Sequence, residues 1–290
     1  MAGQLIPRFE LKDPALFKEA STSYRLILQM SREEFSYCIA DAALNKYLCL
    51  FSYDISGIHD DHHLANLIAS NLEENPLLKQ PFSSVMVVYE SPRTTLVPAG
   101  LFAEEDKGLV AGFTHDLGKD DVILAEKLPD LEACNIFTIP QVLMDMLGKS
   151  MPPAIVRSHT GALIEAILLH YKNRPEYKRA FVNVRRRDLD ILLTEGKKLL
   201  FSNTFRYATP EDFGYFVLFV FEQLKLNPEE TELVLLGDIP RLSRQFGVIH
   251  PYIRNIRFGE RNNFFSYSYL FDEVPAHAFY TLLNASLCEL

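Results

Sequence analysis

The densest cluster of chemically capable side chains in the 290-residue sequence is His59-Asp60-Asp61-His62-His63. Imidazole and carboxylate both ligate zinc, but a site needs three or four such groups converging on one point. Consecutive residues at a helix start point in different directions. An Asp there already serves as a cap and complements the helix dipole. The cluster therefore reads as a helix N-terminus, and no metal is expected. Two fragments imitate a phosphate-binding loop. Gly148-Lys149-Ser150 ends correctly, but Leu143 stands where the first glycine belongs and a helical segment precedes it. Gly118-Lys119 is followed by Asp120 and lacks the hydroxyl that the motif needs. Neither is expected to hold a nucleotide.

Arg185-Arg186-Arg187 offers three guanidinium groups able to fork onto phosphate or carboxylate, so anion or small-metabolite binding is one reading. The plainer reading is a hairpin tip paired with Asp188 and Asp190. Cys38, Cys49, Cys134 and Cys288 show no Cys-x-x-Cys spacing and read as buried, reduced thiols. His59-Asp60 and His115-Asp116 carry the dipeptide of the metal-dependent His-Asp phosphohydrolases, but that fold is all helical. The strands described next contradict it.

The elements that would position such residues repeat. Arg25–Met30, Phe35–Ala40 and Lys46–Phe51 read as three strands of an antiparallel meander, separated by polar turns. Leu64, Leu67, Ile68 and Leu72 then recur at helical spacing, with Asp60 or Asp61 as cap and Asn75-Pro76 as stop. Ser84–Tyr89 reads as a strand buried on both faces. The second half follows the same order. Ala180–Val184, Leu189–Leu193 and Lys198–Thr204 are the strands. Thr209-Pro210 opens a helix that runs to about Leu226, and Leu233–Leu236 is the buried strand. The turn Gln29–Phe35 lies over Asn183–Leu189, residue for residue. Order β-β-β-α-β therefore occurs twice, and a duplicated α/β unit with mixed sheets is expected.

Between the copies, Asp121–Glu126, Ala133–Ile139 and Ile155–Arg157 read as strands, and Gln141–Leu147 and Gly161–Tyr171 as helices. Asn173–Glu176 joins the halves. After the second copy come a helix at Arg241–Phe246 and a strand at Ile253–Phe258. An aromatic strand follows at Phe264–Phe271, with Phe265, Tyr267, Tyr269 and Phe271 on one face, then a helix from Pro275 to Leu287. That aromatic strand is either half-buried or a docking surface for a protein. The expected domains are residues 20–158, with an inserted segment at about 94–150, and residues 159–290.

Composition narrows the function classes. The net charge is −9, with 48% hydrophobic and 23% charged residues, too apolar for a disordered chain. A pI near 5.4 argues against broad nucleic-acid binding, which needs surplus cations. No apolar run approaches the roughly 20 residues of a membrane helix, and residues 1–10 lack a signal-peptide core. A cytoplasmic protein is expected.

Two such lobes resemble the actin-like ATPase fold, built on ribonuclease-H-like halves. Leu96–Phe102 after the first buried strand, and Ile155–Leu163 leading into the mid-chain helix, resemble the actin-like cytoplasmic components of type IV pilus and type II secretion machines. The pattern also resembles an uncharacterised bacterial domain-of-unknown-function family with an actin-like fold, which brings no known activity. The resemblance implies phosphate binding on the first hairpin of each lobe, through an Asp, a small residue and Gly. The Asp would serve a magnesium shell, and Gly would let backbone N–H groups reach phosphate.

This sequence departs from that pattern at three places. Gln29 and Asn183 occupy the two Asp positions, Ser31-Arg32 shows no glycine, and Arg185 stands at the second glycine. The adenosine loop keeps Gly237 and sets Asp238 beside it. The inter-lobe cleft candidates implied by the resemblance are thus Gln29, Ser31, Asn183, Arg185, Arg186, Gly237 and Asp238. The metal would lack its usual ligands, which argues against ATP hydrolysis. The leading expectation is a non-catalytic binding or scaffold protein with no cofactor. Its partner would be a protein, peripheral to a membrane complex by analogy. The competing expectation is a divergent ATPase or nucleotide-binding protein that uses ATP and magnesium in the cleft.

Overall fold

The computed structural model describes residues 3–16, 23–151, 153–172 and 177–289, so the expected junction at 173–176 lies outside the described residues. The chain divides into two units. The first comprises residues up to Ala162 together with Asn263–Glu273 and Leu282–Leu290; the second comprises Leu163–Asn262 and Val274–Thr281. Segments 263–273 and 282–290, counted with the second lobe in the sequence reading, thus belong to the first unit.

The first unit is built on β1 (Gln4–Lys12), β2 (Tyr24–Met30), β3 (Glu34–Asp41), β4 (Lys46–Ser56), α1 (Asp61–Glu74) and β5 (Ser84–Tyr89). Then come β6 (Thr94–Pro98), α2 (Lys107–Thr114), β7 (Asp121–Leu128), β8 (Ala133–Pro140), α3 (Gln141–Ser150) and β9 (Ala154–Ser158). The main sheet runs β1-β4-β3-β2-β5-β9, with β2, β5 and β9 mutually parallel. A smaller antiparallel sheet, β6-β8-β7, forms from the segment at 94–140. β2 and β5 are buried along nearly their whole length, as expected for strands covered on both faces. Leu64, Ile68 and Leu72 of α1 and Leu143, Met146 and Leu147 of α3 join the same core as Leu26, Leu28 and Val87. Asp60 caps α1, accepting from the His63 N–H at 2.8 Å, and Asn75 ends it.

Helix α4 (His159–Tyr171) leads into the second unit. This unit holds β10 (Lys178–Val184), β11 (Asp188–Glu195), β12 (Lys198–Arg206), α5 (Pro210–Gln223), β13 (Glu232–Gly237), α6 (Arg244–Ile249) and β14 (Ile256–Phe258). Its sheet runs β12-β11-β10-β13-β14. With β1 set aside, that is the order and direction of β4-β3-β2-β5-β9 in the first unit. A capping box opens α5: Thr209 Oγ1 accepts from the Asp212 N–H, and the Asp212 carboxylate accepts from the Thr209 N–H. Phe213, Val217, Val220 and Phe221 then face the second core.

The sequence pattern misplaces four elements and misses three. The aromatic run makes a strand only at β15 (Ser266–Tyr267), parallel to Lys46-Tyr47. The chain then tightens into a 3-10 turn over Tyr269–Glu273, burying Phe271 and leaving Tyr269 68% exposed. The aromatics alternate because Phe265, Tyr267 and Phe271 all converge on the ring of Tyr47, not because they share a strand face. The terminal helix is broken by Phe279 at φ 53, so only α7 (Tyr280–Asn284) forms, followed by a 3-10 turn. Ser243 Oγ accepts from the Phe246 N–H, which moves the start of α6 three residues past Arg241. The last strand is shorter than expected because Ile253 N–H is held in a turn by Ile249 O. β1, β6 and α2 carry no clean periodicity and were not read.

One glycine decides the end of β13. Gly237 has φ +80, and a Cβ there would stand 2.2 Å from Val184 O. The left-handed backbone alone costs a non-glycine residue about 1–3 kcal/mol, and the clash adds to it. Gly247, midway along α6, has nothing within 4 Å of an added Cβ. Gly237→Ala is therefore expected to destabilise by more than that backbone cost alone, read from urea melts. Gly247→Ala should raise stability by up to about 1 kcal/mol. Equal effects of the two substitutions would refute this account of the strand end.

Candidate functional site

In an open sheet with parallel strands, polar ligands collect beyond the carboxyl ends of those strands. In the first unit these ends are Gln29, Glu90 and Ser158-His159. Gln29 Nε2 donates to Glu90 Oε1 at 2.7 Å, and His159 Nδ1 lies 4.0 Å from the same oxygen. Gln29 is only 9% exposed, and its Oε1 has no hydrogen-bond partner among the described residues. The adjoining hairpin is closed on itself. Ser31 N–H donates to Glu34 O, while Ser31 Oγ accepts from the N–H groups of Glu33 and Glu34 at 3.1 and 3.0 Å. Arg32 reaches out to Asp61 at 2.7 Å.

The second unit repeats this construction with other side chains. Met30 pairs with Phe35 as Val184 pairs with Leu189. Ser31 N–H bonds Glu34 O as Arg185 N–H bonds Asp188 O. Glu90 N–H bonds Met30 O as Asp238 N–H bonds Val184 O. Gln29 and Asn183 are thus structural counterparts, as are Ser31 and Arg185, and Glu90 and Asp238.

Here the centre is Asp190, 3% exposed on β11. Its Oδ2 accepts from Asn183 Nδ2 and from Arg185 Nε, both at 3.0 Å. Its Oδ1 accepts from Arg185 Nη2 at 2.8 Å and Thr204 Oγ1 at 2.7 Å. The Arg185 guanidinium is therefore turned inward and engaged on both edges of one carboxylate, while Arg186 and Arg187 stay exposed. Tyr207 donates to Arg185 O at 2.8 Å and fixes that turn. Burial, with Asp238 and Asp188 nearby, pushes the Tyr207 hydroxyl up to about 12, so it remains a donor. Gly237 lies against Val184, and its N–H donates to His277 O. His277 Nε2 in turn bonds Ile239 O at 2.9 Å, and burial lowers the imidazole's pKa.

A second buried carboxylate stands in the first unit. Glu126 of β7 accepts from Asn135 Nδ2 at 2.9 Å and from Arg157 Nε at 3.2 Å. Asn135 also donates to Ser158 Oγ at 2.7 Å, and Ser158 Oγ accepts from the Gly161 N–H at the start of α4. A Cβ on Gly161 would collide with Glu126 Oε1. Burial raises the Glu126 carboxyl pKa, with Arg157, Asn135 and Ser158 opposing the shift.

The sequence candidates fall into both units: Gln29 and Ser31 in the first; Asn183, Arg185, Arg186, Gly237 and Asp238 in the second. Sequence reasoning missed Glu90, Glu126 and His159; it paired Asp190 with the arginine turn but at a solvated tip, whereas the pair with Arg185 is made by a buried Asp190. Glu90 was open to detection, because it follows the first buried strand as Asp238 nearly follows the second. Asp190 and Glu126 are acids within apolar strands, where pattern alone assigns them to solvent. Gly148-Lys149-Ser150 forms the last turn of α3. Cys38, Cys49 and Cys134 are buried and unpaired, and burial pushes the Cys49 thiol up to about 12; the Cys288 side chain lies outside the described residues. No described helix is long and apolar enough to cross a membrane.

A family described as "Protein of unknown function (DUF3822)" matches residues 13–256. A search of curated proteins finds no match. A solved protein of Bacteroides thetaiotaomicron VPI-5482, with actin-like ATPase fold and unknown function, is 24% identical. The alignment covers 82% of this chain and 91% of that one, with a TM-score of 0.75. The PilM–PilN type IV pilus biogenesis complex matches at 12% identity and TM-score 0.63, covering 91% and 98% of the two chains. Ethanolamine utilization protein EutJ from Carboxydothermus hydrogenoformans matches at 8% and 0.51, covering 91% and 89%. The fold is the actin-like ATPase fold.

The Glu126–Arg157 pair, 11% exposed on each side, gives a pH-dependent test. Glu126 holds its proton in the folded state over a window where the unfolded chain, near the ordinary 4.5, has lost it. Its contribution to stability therefore falls as pH rises through that window. Arg157→Gln leaves the carboxylate buried without its cation, which costs about 3–5 kcal/mol at neutral pH. That loss should shrink as pH falls and Glu126 protonates. Urea melts of both proteins from pH 8 down to pH 5 read the difference; a loss that does not change with pH would reject the assignment.

Proposed function

The chain belongs to the DUF3822 family, and we propose that it is a non-catalytic actin-like protein that binds or scaffolds a protein partner in the cytoplasm. The observation that carries this reading is the state of Arg185. At the hairpin where the fold would offer backbone N–H groups to phosphate, Arg185 N–H is bonded to Asp188 O and the guanidinium is bonded to Asp190. A phosphate entering this turn would have to displace both. The first hairpin supports the same conclusion, with Ser31 Oγ taking the N–H groups of Glu33 and Glu34. The two positions for metal-shell acids carry the amides Gln29 and Asn183, each already donating to a neighbouring carboxylate. The matching strand order of the two sheets supports an internal duplication in which both copies lost the phosphate turn. That the PilM neighbour is solved as a complex with PilN supports a protein as the partner class.

Thermal unfolding with ATP or ADP and magnesium tests the proposal. A nucleotide present at a hundred times its dissociation constant adds about 2.7 kcal/mol of stability. The expected result is no change in melting temperature at millimolar nucleotide. A magnesium-dependent rise would overturn the non-catalytic reading and favour a divergent nucleotide-binding protein. Arg185→Ala is expected to destabilise by about 3–5 kcal/mol, since the buried Asp190 carboxylate loses its cation. It should confer no nucleotide response.

A further inference from the structure

The two sheets differ at one edge. In the first unit β4 is covered by β1, paired antiparallel from Gln4↔Ser56 to Lys12↔Cys49. Its counterpart β12 ends the second sheet, with no strand beyond it among the described residues. β1 also brings apolar contact: Leu11 is buried, Leu5 packs on the first core, and Gly3 lies 3.5 Å from Leu67 of α1, measured from the position of a Cβ.

Alignment of the helix caps Asp60 and Thr209 sets Leu67 over Phe216, Asn66 over Tyr215 and Ser70 over Phe219. At two of these positions the second unit carries an aromatic ring, Tyr215 and Phe219, where the first has a small polar side chain, Asn66 and Ser70. Phe205 of β12 stacks on Phe216 at 4.9 Å, Phe216 meets Tyr215 at 5.3 Å, and Tyr215 stacks on Phe219 at 5.8 Å. This row of rings leads from the open edge to the helix surface, where Tyr215 is 61% and Phe219 38% exposed. It lies where the counterpart of β1 would pack.

The backbone of β12 points two N–H groups outward. Thr204 N–H lies outside the β11 ladder, where it donates to the Asn203 side chain at 2.9 Å, a bond that an incoming strand would displace. Ser202 shares its direction, since alternate residues of an antiparallel strand point their N–H groups the same way. Charge selects the occupant. Lys197 and Lys198 flank one end of β12, and Arg206 the other, all exposed. Antiparallel pairing of the whole strand with a second copy would set Lys198 against Arg206 at both ends, and like charges placed opposite destabilise a pair.

We propose that the outer edge of β12 takes an extended segment of a partner protein as an added antiparallel strand, apolar in its middle, acidic at its ends, and seated beside Tyr215 and Phe219. Main-chain hydrogen bonds would supply affinity, and alternate side chains and end charges would supply specificity. The inference rests on the binding-protein reading and names its surface.

The test uses the full chain and a blocked peptide of the length of β12, alternating valine and threonine between terminal glutamates. Fluorescence anisotropy reads binding, and hydrogen exchange reads protection of residues 198–206. Saturable binding with protection of those amides is expected. Lysine in place of the terminal glutamates should weaken it by about tenfold. Ser202→Pro removes an outward N–H without breaking the β11 ladder and should weaken binding at least as much. Phe219→Ser, which installs the residue that α1 carries, provides a second variant should the proline impair folding; it too should weaken binding. No saturable binding at about 1 mM, corresponding to roughly −4.1 kcal/mol, would overturn the proposal. So would protection confined to other segments, equal affinity for the lysine-ended peptide, or a dimer of the free protein that Ser202→Pro dissolves. The nucleotide melt is read separately. A nucleotide response sinks the non-catalytic reading, whereas peptide failure with a silent nucleotide melt removes only this surface.

Discussion

Asp190 is a carboxylate at 3% exposure in the middle of a sheet, and a group so placed costs several kcal/mol unless it is neutralised and hydrogen-bonded. The second hairpin is organised around meeting that cost. Arg185 folds back to meet both carboxylate oxygens, Asn183 and Thr204 donate to what remains, and Tyr207 clamps the turn through Arg185 O. The inward arginine is the consequence of one buried charge. Once it is in place, the Arg185 N–H is held by Asp188 O and its guanidinium by Asp190.

The first unit reaches a similar end by a cheaper route. Ser36 stands where Asp190 stands, so no buried charge has to be met at that position. The Ser31 hydroxyl then suffices to occupy the N–H groups that the turn would otherwise present. Glu90 and Asp238 keep their places beyond the buried strands, each tied by its N–H to the carbonyl of the neighbouring strand. Two hairpins of the same topology have thus closed by different chemistry, and the topology did not depend on either set of side chains.

That independence explains what could be read from residues alone. The apolar periods of β2, β3, β5, β10, β11 and β13, and the caps at Asp60 and Thr209, report backbone geometry directly, and they were legible. β1 was not. It is an edge strand with a bulge at Pro7–Phe9 and a mostly exposed pattern, so its hydropathy resembles that of a loop. The aromatic run at 264–271 failed for the opposite reason, since its alternation reflects packing around Tyr47 and not a pleat. At the site, the amides Gln29 and Asn183 were identifiable from their register. That they donate to Glu90 and Asp190 was not legible, because a partner in space leaves no fixed spacing in the chain.

Edge geometry carries the remaining asymmetry between the units. A sheet edge exposes N–H and C=O groups, and proteins that must stay soluble cover or blunt it. The first unit covers its edge with its own strand β1. The second blunts β12 with Lys198 and Arg206 at the ends and a bulge near Leu200. Blunting by charge is selective, because it opposes a basic strand and tolerates an acidic one. Exposed rings on α5, placed where α1 has Asn66 and Ser70, gain nothing for the isolated fold. Their contacts with each other and with Phe205 hold them in one orientation, which lowers the conformational entropy that a binding surface must lose.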